Sequence, residues 1–148
     1  MAPQYCSFYV GDLYLGLEVE RVQEVLHNSA ITPVPTAPPA VRGLINLRGQ
    51  IVTAIDLRKR FGLAEADESI SPTMLVLDAE DGLLALVVDS AGDVEEVAQN
   101  RFEEPPATLK GESRRLIRGA CKLEKNLMLV LDADHLFDLE NNHEEAQE

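Results

Sequence analysis

Positive charge is scarce in this 148-residue chain, which has 13 lysine and arginine residues against 26 aspartate and glutamate residues. The formal net charge is therefore -13, and no basic cluster offsets it. Since neutralising phosphates supplies much of the affinity for nucleic acids, this balance argues against nucleic-acid binding. Tryptophan is absent, and Cys6 and Cys121 are the two cysteines. Both lie within apolar alternation, so we expect buried thiols in a reducing compartment rather than a disulfide.

Long apolar segments are also missing. The longest runs, such as residues 83–88, are far shorter than the roughly 20 residues that span a bilayer. The first residues show neither the charged nor the apolar region of a signal peptide, so we expect a cytoplasmic protein without membrane insertion. The length suits one domain with a real core, over residues 1–148. We expect the acidic tail, residues 138–148, to be flexible.

Motifs of catalytic and metal sites are missing as well. Gly11 and Gly16 have the glycine spacing of a nucleotide-binding loop, but Leu17 and Glu18 follow where that loop needs lysine and serine or threonine. The three histidines are isolated, without the spacing of metal ligands. A Ser-His-Asp triad is recognised in space, so the sequence alone leaves that alternative open. We expect neither a cofactor nor a metal ion.

Short apolar runs joined by turns with glycine and proline predict a mainly β fold, either a barrel or a sandwich. Valines at helical spacing in residues 19–26 predict a short helical or irregular segment. Short helices are predicted at residues 57–61 and 133–137, and the prolines of residues 33–39 predict an irregular crossing. The predicted strands are residues 5–10, 13–19, 31–34, 43–47, 50–56, 73–78, 83–89, 94–97, 117–123 and 127–132.

An internal repeat divides the chain into two similar halves. VRGLINLRGQIVTAIDLRKRF (residues 41–61) aligns without a gap with IRGACKLEKNLMLVLDADHLF (residues 117–137). Each half is too small to bury much surface alone, so the repeat predicts two subdomains, intertwined in one domain, that share apolar surface.

Positions that both copies share are expected to serve the fold. Gly43 and Gly119 are predicted to start a strand where a side chain would not fit, and Asp56 and Asp132 to cap the following helical turn. The turn itself differs, because Arg48-Gly49 in the first copy becomes Glu124-Lys125 in the second. The fold therefore does not require arginine at this tip. Arg48 is either an ordinary solvated charge or a functional residue.

Four segments carry a family resemblance. VQEV (22–25), APPAVRGLINLRG (37–49), VTAIDLRKRFGL (52–63) and LALVVDSAGDV (84–94) resemble the CheW family of chemotaxis coupling proteins. The resemblance implies two five-stranded SH3-like β-barrels packed together, with short helices and no catalytic activity. It also implies an adaptor between the cytoplasmic tip of methyl-accepting chemoreceptors and the regulatory domain of the histidine kinase CheA, recruited to membrane-associated arrays. The alternatives are a coupler of a type IV pilus or developmental pathway, or a small-ligand-binding β-barrel.

The resemblance also implies roles for individual residues. Glu24 and Arg48 match a pair at the family's receptor-binding groove. Val22 and Val25 either form the floor of that groove or belong to the core, and for Val25 we favour the core. The other matches to receptor-binding positions are Val22, Gly43, Thr73, Met74 and Leu75. A variable loop that contacts the kinase corresponds to residues 103–108, and its candidate contacts are Glu103, Pro105, Pro106 and Thr108.

Overall fold

The computed structural model describes residues 3–27, 29–64, 72–79, 82–109, 111–124 and 126–137. Eleven strands run through these residues: β1 (Gln4–Val10), β2 (Leu13–Glu18), β3 (Val22–His27), β4 (Val41–Leu47), β5 (Gln50–Asp56), β6 (Thr73–Ala79), β7 (Gly82–Val88), β8 (Ser90–Glu96), β9 (Phe102–Glu103), β10 (Ile117–Lys122) and β11 (Leu127–Leu131). The helices are α1 (Leu57–Arg60), α2 (Gly111–Leu116) and the 3-10 helices Val19–Arg21, Gln99–Arg101 and Ala133–Phe137. The predicted mainly β fold is confirmed.

The strands form two sheets that we call the first and second subdomains. The first is five-stranded in the order β3-β6-β7-β5-β4, and the second is six-stranded in the order β8-β1-β2-β11-β10-β9. The sixth strand of the second subdomain, β9, has two residues. Because β1 and β2 pair with β8 and β11, the N-terminal hairpin completes a sheet whose other strands come from the end of the chain. The second sheet therefore combines strands from the beginning and the end of the described chain.

Three apolar clusters hold this arrangement together. One lies within the first subdomain, around Val52, Met74 and Val76. A second lies within the second subdomain, around Tyr14 and Met128. The third draws on both sheets. Its fully buried members include Phe8, Leu15, Ile55, Leu75, Leu86, Leu116 and Leu131. Neighbouring residues of one strand point to opposite faces, so β6 alternately supplies its own sheet's core and the shared one.

The two copies of the repeat form similar local structures. Each gives an antiparallel hairpin, β4–β5 or β10–β11, followed by one helical turn. Asp56 accepts a hydrogen bond from the backbone N–H of Arg58 at 3.0 Å, and Asp132 accepts one from that of Asp134 at 3.2 Å. Both aspartates therefore cap the helical turn that follows them, as predicted.

Two sequence predictions are wrong in part. Residues 19–26 are not mainly helical, because a 3-10 turn at Val19–Arg21 is followed by strand β3. The side chains of β3 alternate between half-buried and exposed, and Glu24 occupies one of the half-buried positions. Because Glu24 is polar, the sequence of β3 does not show the alternation of apolar and polar residues that indicates a strand. The predicted strand at residues 31–34 is reduced to a single bridge between Thr32 and Leu44, because prolines on either side of Val34 lack the N–H groups that a ladder needs.

One strand is longer than predicted. Strand β8 runs from Ser90 to Glu96, whereas the sequence predicted a strand only at residues 94–97. Cys121 is buried and Cys6 is half-buried, and both are free thiols. The acidic tail, which we predicted to be flexible, lies wholly outside the described residues. Within the described ranges, no helix has the length and apolarity to cross a membrane.

Candidate functional site

Arg48 and Glu24 form a salt bridge from the tip of the β4–β5 hairpin to strand β3. Arg48 Nη2 donates to Glu24 Oε1, and Nη1 lies 3.4 Å from Oε2, so the guanidinium meets both carboxylate oxygens. This hydrogen bonding raises the pKa of Arg48 above its ordinary value. Strands β3 and β4 are the two edges of the five-stranded sheet, so the pair joins the ends of a curled sheet. The predicted pairing of these two side chains is confirmed.

The pair remains open to solvent. The side chain of Arg48 is 71% exposed and that of Glu24 is 27% exposed. An ion pair this exposed contributes little to stability, because water screens it and two long side chains lose freedom. Its value lies in geometry, since the planar fork of arginine fits a carboxylate in a way that lysine does not. The site therefore offers a fixed, exposed cation at the rim of the first subdomain.

Gly43 lies in β4 at a position where the backbone of another segment passes. A Cβ atom there would lie 2.3 Å from the Thr32 carbonyl oxygen, and the backbone has φ +154°. Gly119 is equivalent in the second copy, where a Cβ atom would lie 2.1 Å from the ring of Phe102. Both glycines thus allow a close approach, as the repeat predicted. The contribution of Gly43 to the site is to let residues 31–32 pack beside β4.

Of the other candidate receptor residues, Val22 lies in β3, the strand of Glu24, and three lie in the neighbouring strand β6. Val22 is half-buried and packs against the shared core. Thr73, Met74 and Leu75 are all buried in β6, the strand that pairs with β3. Their side chains therefore support β3 from within and do not reach the surface. Val25, by contrast, is 38% exposed, so its predicted place in the core is wrong.

The candidate kinase loop is held at the far edge of the second subdomain. It begins at β9, where Glu103 pairs with Ala120 and its carboxylate lies 3.8 Å from Lys122 Nζ. Arg114 Nη1 donates to the Pro105 carbonyl at 3.1 Å, and the N–H of Leu109 donates to the Pro106 carbonyl, also at 3.1 Å. Glu103 and Thr108 are exposed, and the two prolines are half-buried. This loop and the Glu24–Arg48 pair therefore lie on different subdomains.

The hairpin tip of the second subdomain has a carboxylate at the position of the first subdomain's guanidinium. Glu124 takes the place of Arg48 and lies on an open depression of about 350 Å³. That depression is also lined by Glu95, Glu96, Arg101, Leu123 and Asn126. At this position of the hairpin, one subdomain thus presents arginine and the other presents glutamate. Among the residues that the structure describes, no group of histidine, cysteine, aspartate or glutamate is arranged to hold a metal ion.

Sequence reasoning missed one residue beside the tip. Asn46 is exposed, and its Oδ1 accepts a hydrogen bond from the backbone N–H of Gly49 at 2.8 Å. The available signal was an Asn three residues before a glycine in a tight turn, a position from which its short side chain can reach the backbone.

Comparisons with known proteins agree with this architecture. The family model described as the CheW-like domain matches residues 4–141. The chain belongs to the CheW-like domain family. Chemotaxis protein CheW of Treponema pallidum is 32% identical over 139 residues, covering 90% of this chain and 81% of that protein. Chemotaxis protein CheW of Bacillus subtilis is 29% identical over 135 residues, covering 91% and 86%.

A solved structure of the same family has a similar fold. It is the scaffolding protein TtCheW from Thermoanaerobacter tengcongensis, with a TM-score of 0.85 and 28% sequence identity. The match covers 93% of this chain and 94% of that one. The similarity thus extends over both subdomains.

Proposed function

We propose that this chain is a non-enzymatic coupling adaptor of chemotaxis signalling. It joins the cytoplasmic tip of a methyl-accepting chemoreceptor to the regulatory domain of a CheA-type histidine kinase, in arrays beneath the membrane. Membership of the CheW-like family supports this function, as do relatives that are named chemotaxis proteins and a structural neighbour described as a scaffolding protein.

The observation that carries the receptor-binding half of the proposal is the exposed Glu24–Arg48 pair. A receptor tip is a helical hairpin, and helices dock on surfaces that combine apolar contacts with a few fixed polar groups. Arg48 offers such a polar group, and Val25, which points to the opposite face of β3 from Glu24, adds exposed apolar surface at this edge of the sheet. Glu124 at the equivalent tip carries the opposite charge, which argues that the partner uses the first subdomain.

The remaining receptor candidates act by holding this surface in place. Val22 anchors the start of β3 on the shared core, and Gly43 lets residues 31–32 pack beside β4. Thr73, Met74 and Leu75 support β3 from within the sheet. Substituting these buried residues should therefore reduce receptor binding together with stability.

The kinase-binding half rests on the loop of residues 103–108. Its exposed members are Glu103 and Thr108, while Pro105 and Pro106 restrict its backbone. Two hydrogen bonds to proline carbonyls, from Arg114 and from Leu109, fix it further. A rigid loop loses less conformational entropy on binding, which suits a contact surface. Because it lies on the second subdomain, the chain can bind receptor and kinase at the same time.

Binding of the purified chain to a receptor tip and to a kinase regulatory domain tests the proposal. We expect Arg48→Ala to weaken receptor binding by about tenfold or more, as expected for a residue that dominates a small interface. Binding to the regulatory domain should be unchanged, and the melting temperature should stay within a few degrees of the parent. The matched control is Glu124→Ala at the equivalent tip, which should leave receptor binding unchanged.

Two results would overturn the proposal. The first is a chain that binds neither partner at tens of micromolar, the range expected for a modest signalling interface. The second is an Arg48→Ala variant that unfolds, since Arg48 would then be a structural residue and the surface around it would not be the receptor site.

A further inference from the structure

The turn that carries Arg48 has an unusual backbone for its sequence. Leu47 pairs with Gln50, so Arg48 and Gly49 form a two-residue turn, and their φ angles are +51° and +86°. Positive φ at both central positions defines a type I′ turn, which strongly favours asparagine, aspartate or glycine at the first position. Among the described residues, Arg48 is the one non-glycine residue with positive φ. Strained backbone of this kind persists only where the surrounding structure fixes it.

A side chain supplies that fixation. The N–H of Gly49 donates to Asn46 Oδ1 at 2.8 Å. Asn46 itself is exposed, while its neighbours in the strand, Ile45 and Leu47, are buried, so packing does not explain why an asparagine is there. We infer that Asn46 is a positioning residue for receptor binding, which holds the turn so that Arg48 can meet Glu24 and the partner together. This inference rests on the proposed function.

The second subdomain provides an internal comparison. The residue equivalent to Asn46 is Lys122, whose side chain has no acceptor for the turn, and its ammonium lies 3.8 Å from Glu103. The hairpin is closed there by a backbone hydrogen bond from Leu123 to Asn126 at 2.8 Å. A hairpin of this repeat therefore forms without the asparagine. The hydrogen bond from Gly49 to Asn46 is therefore a feature of the hairpin whose tip carries Arg48, and the hairpin fold does not require it.

A double-mutant cycle between positions 46 and 48 tests the inference, with receptor-tip affinity and melting temperature as readouts. We expect Asn46→Ala to weaken receptor binding by about fivefold, as for loss of one ordinary hydrogen bond, without a shift of more than a few degrees in melting temperature. Asn46→Asp keeps the acceptor oxygen and should retain affinity within about twofold. Asn46→Lys, which copies the second subdomain, should fold and bind as weakly as Asn46→Ala.

The double-mutant cycle shows whether Asn46 acts on receptor binding through Arg48 or independently of it. If Asn46 acts through Arg48, adding Asn46→Ala to Arg48→Ala causes no further loss of affinity. An equal loss in that background, full affinity of Asn46→Ala, or an Asn46→Asp variant as weak as Asn46→Ala would each overturn the inference. An Arg48→Ala variant with parental affinity would instead overturn the proposed receptor site, so the two failures are distinguishable.

Discussion

Arg58 holds the carboxylate of Asp89 at two points, with Nε 2.8 Å from Oδ1 and Nη2 2.5 Å from Oδ2. Arg58 lies in α1, and Asp89 follows β7, where the chain leaves the first subdomain for the second. Asp89 Oδ2 also accepts a hydrogen bond from the N–H of Gly11, in the β1–β2 turn, at 2.7 Å. One carboxylate therefore connects a helical turn of one subdomain, the crossing segment and a hairpin of the other.

The other crossing has an exposed ion pair of the opposite polarity beside it. Asp134, which replaces Arg58 in the repeat, lies 3.3 Å from Arg21 in the 3-10 helix that leads from β2 to β3. Each crossing thus carries a charge that suits the helical turn beside it and would repel the other turn. Exchanging the two helical turns would bring like charges together at both crossings.

Stability should fall at acidic pH because of Asp89. Its hydrogen bond from Arg58 holds the pKa of the carboxyl below the ordinary 3.8, helped by the N–H of Gly11. A carboxyl whose folded-state pKa is lowered stabilises the fold fully above its unfolded value and loses that contribution as pH falls towards the folded value. We therefore expect Asp89→Asn to lower the urea midpoint at neutral pH and to flatten the decline below about pH 4.

The matched control for this experiment is Asp134→Asn. The side chain of Asp134 is 78% exposed, so its ion pair is screened by water. Its substitution should leave both the midpoint and its pH dependence close to the parent. Identical acid profiles for the parent and Asp89→Asn would show that the Arg58–Asp89 pair does not stabilise the junction.

Gly43→Ala should destabilise the protein by about 1–3 kcal/mol, the usual cost of forcing an extra methyl group into a packed site. The new methyl group would lie 2.3 Å from the Thr32 carbonyl oxygen, so the bridge between Thr32 and Leu44 has to move. Chemical denaturation measures the loss. Gly62→Ala is the control, because Gly62 also has positive φ but nothing lies within 4 Å of its added methyl group. Equal losses in the two variants would contradict the clash with Thr32.

The sequence predicted those parts of the fold and site that depend on local pattern. Tight turns, the caps at Asp56 and Asp132, and the close approach at Gly43 each follow from the chemistry of one residue type. The family resemblance predicted the pairing of Glu24 with Arg48, although these residues lie 24 positions apart.

The remaining features depend on contacts that no local pattern records. The Arg58–Asp89 and Arg21–Asp134 pairs join residues 31 and 113 positions apart, in a chain with many other carboxylates to choose from. The burial of Met74 and Leu75 on opposite faces of β6 depends on a second apolar cluster between the subdomains. Strand β3 was missed because Glu24, a functional candidate, occupies an inward position where the strand pattern requires an apolar residue.

A charge swap will separate contact from shape at the receptor site. Glu24→Arg combined with Arg48→Glu restores an attractive pair but reverses the charge of the exposed tip. We expect the double variant to melt within a few degrees of the parent and to bind the receptor tip about tenfold or more weakly, because the partner meets a carboxylate in place of the guanidinium. Titration calorimetry with the receptor tip gives the affinity. Recovery of parental affinity would mean that the pair only shapes the surface.

Replacing Pro105 and Pro106 by glycine should weaken binding to the kinase regulatory domain by about fivefold and leave receptor binding unchanged. Glycine permits many backbone conformations where proline permits few, so the free loop would lose more conformational entropy on binding. The matched control replaces Pro38 and Pro39 by glycine. These two prolines lie in the segment between β3 and β4 of the first subdomain. If the control weakens kinase binding equally, the rigidity of the loop at residues 103–108 does not contribute specifically to kinase binding. If the loop variant binds neither the receptor nor the kinase, residues 103–108 do not form a surface that is specific for the kinase.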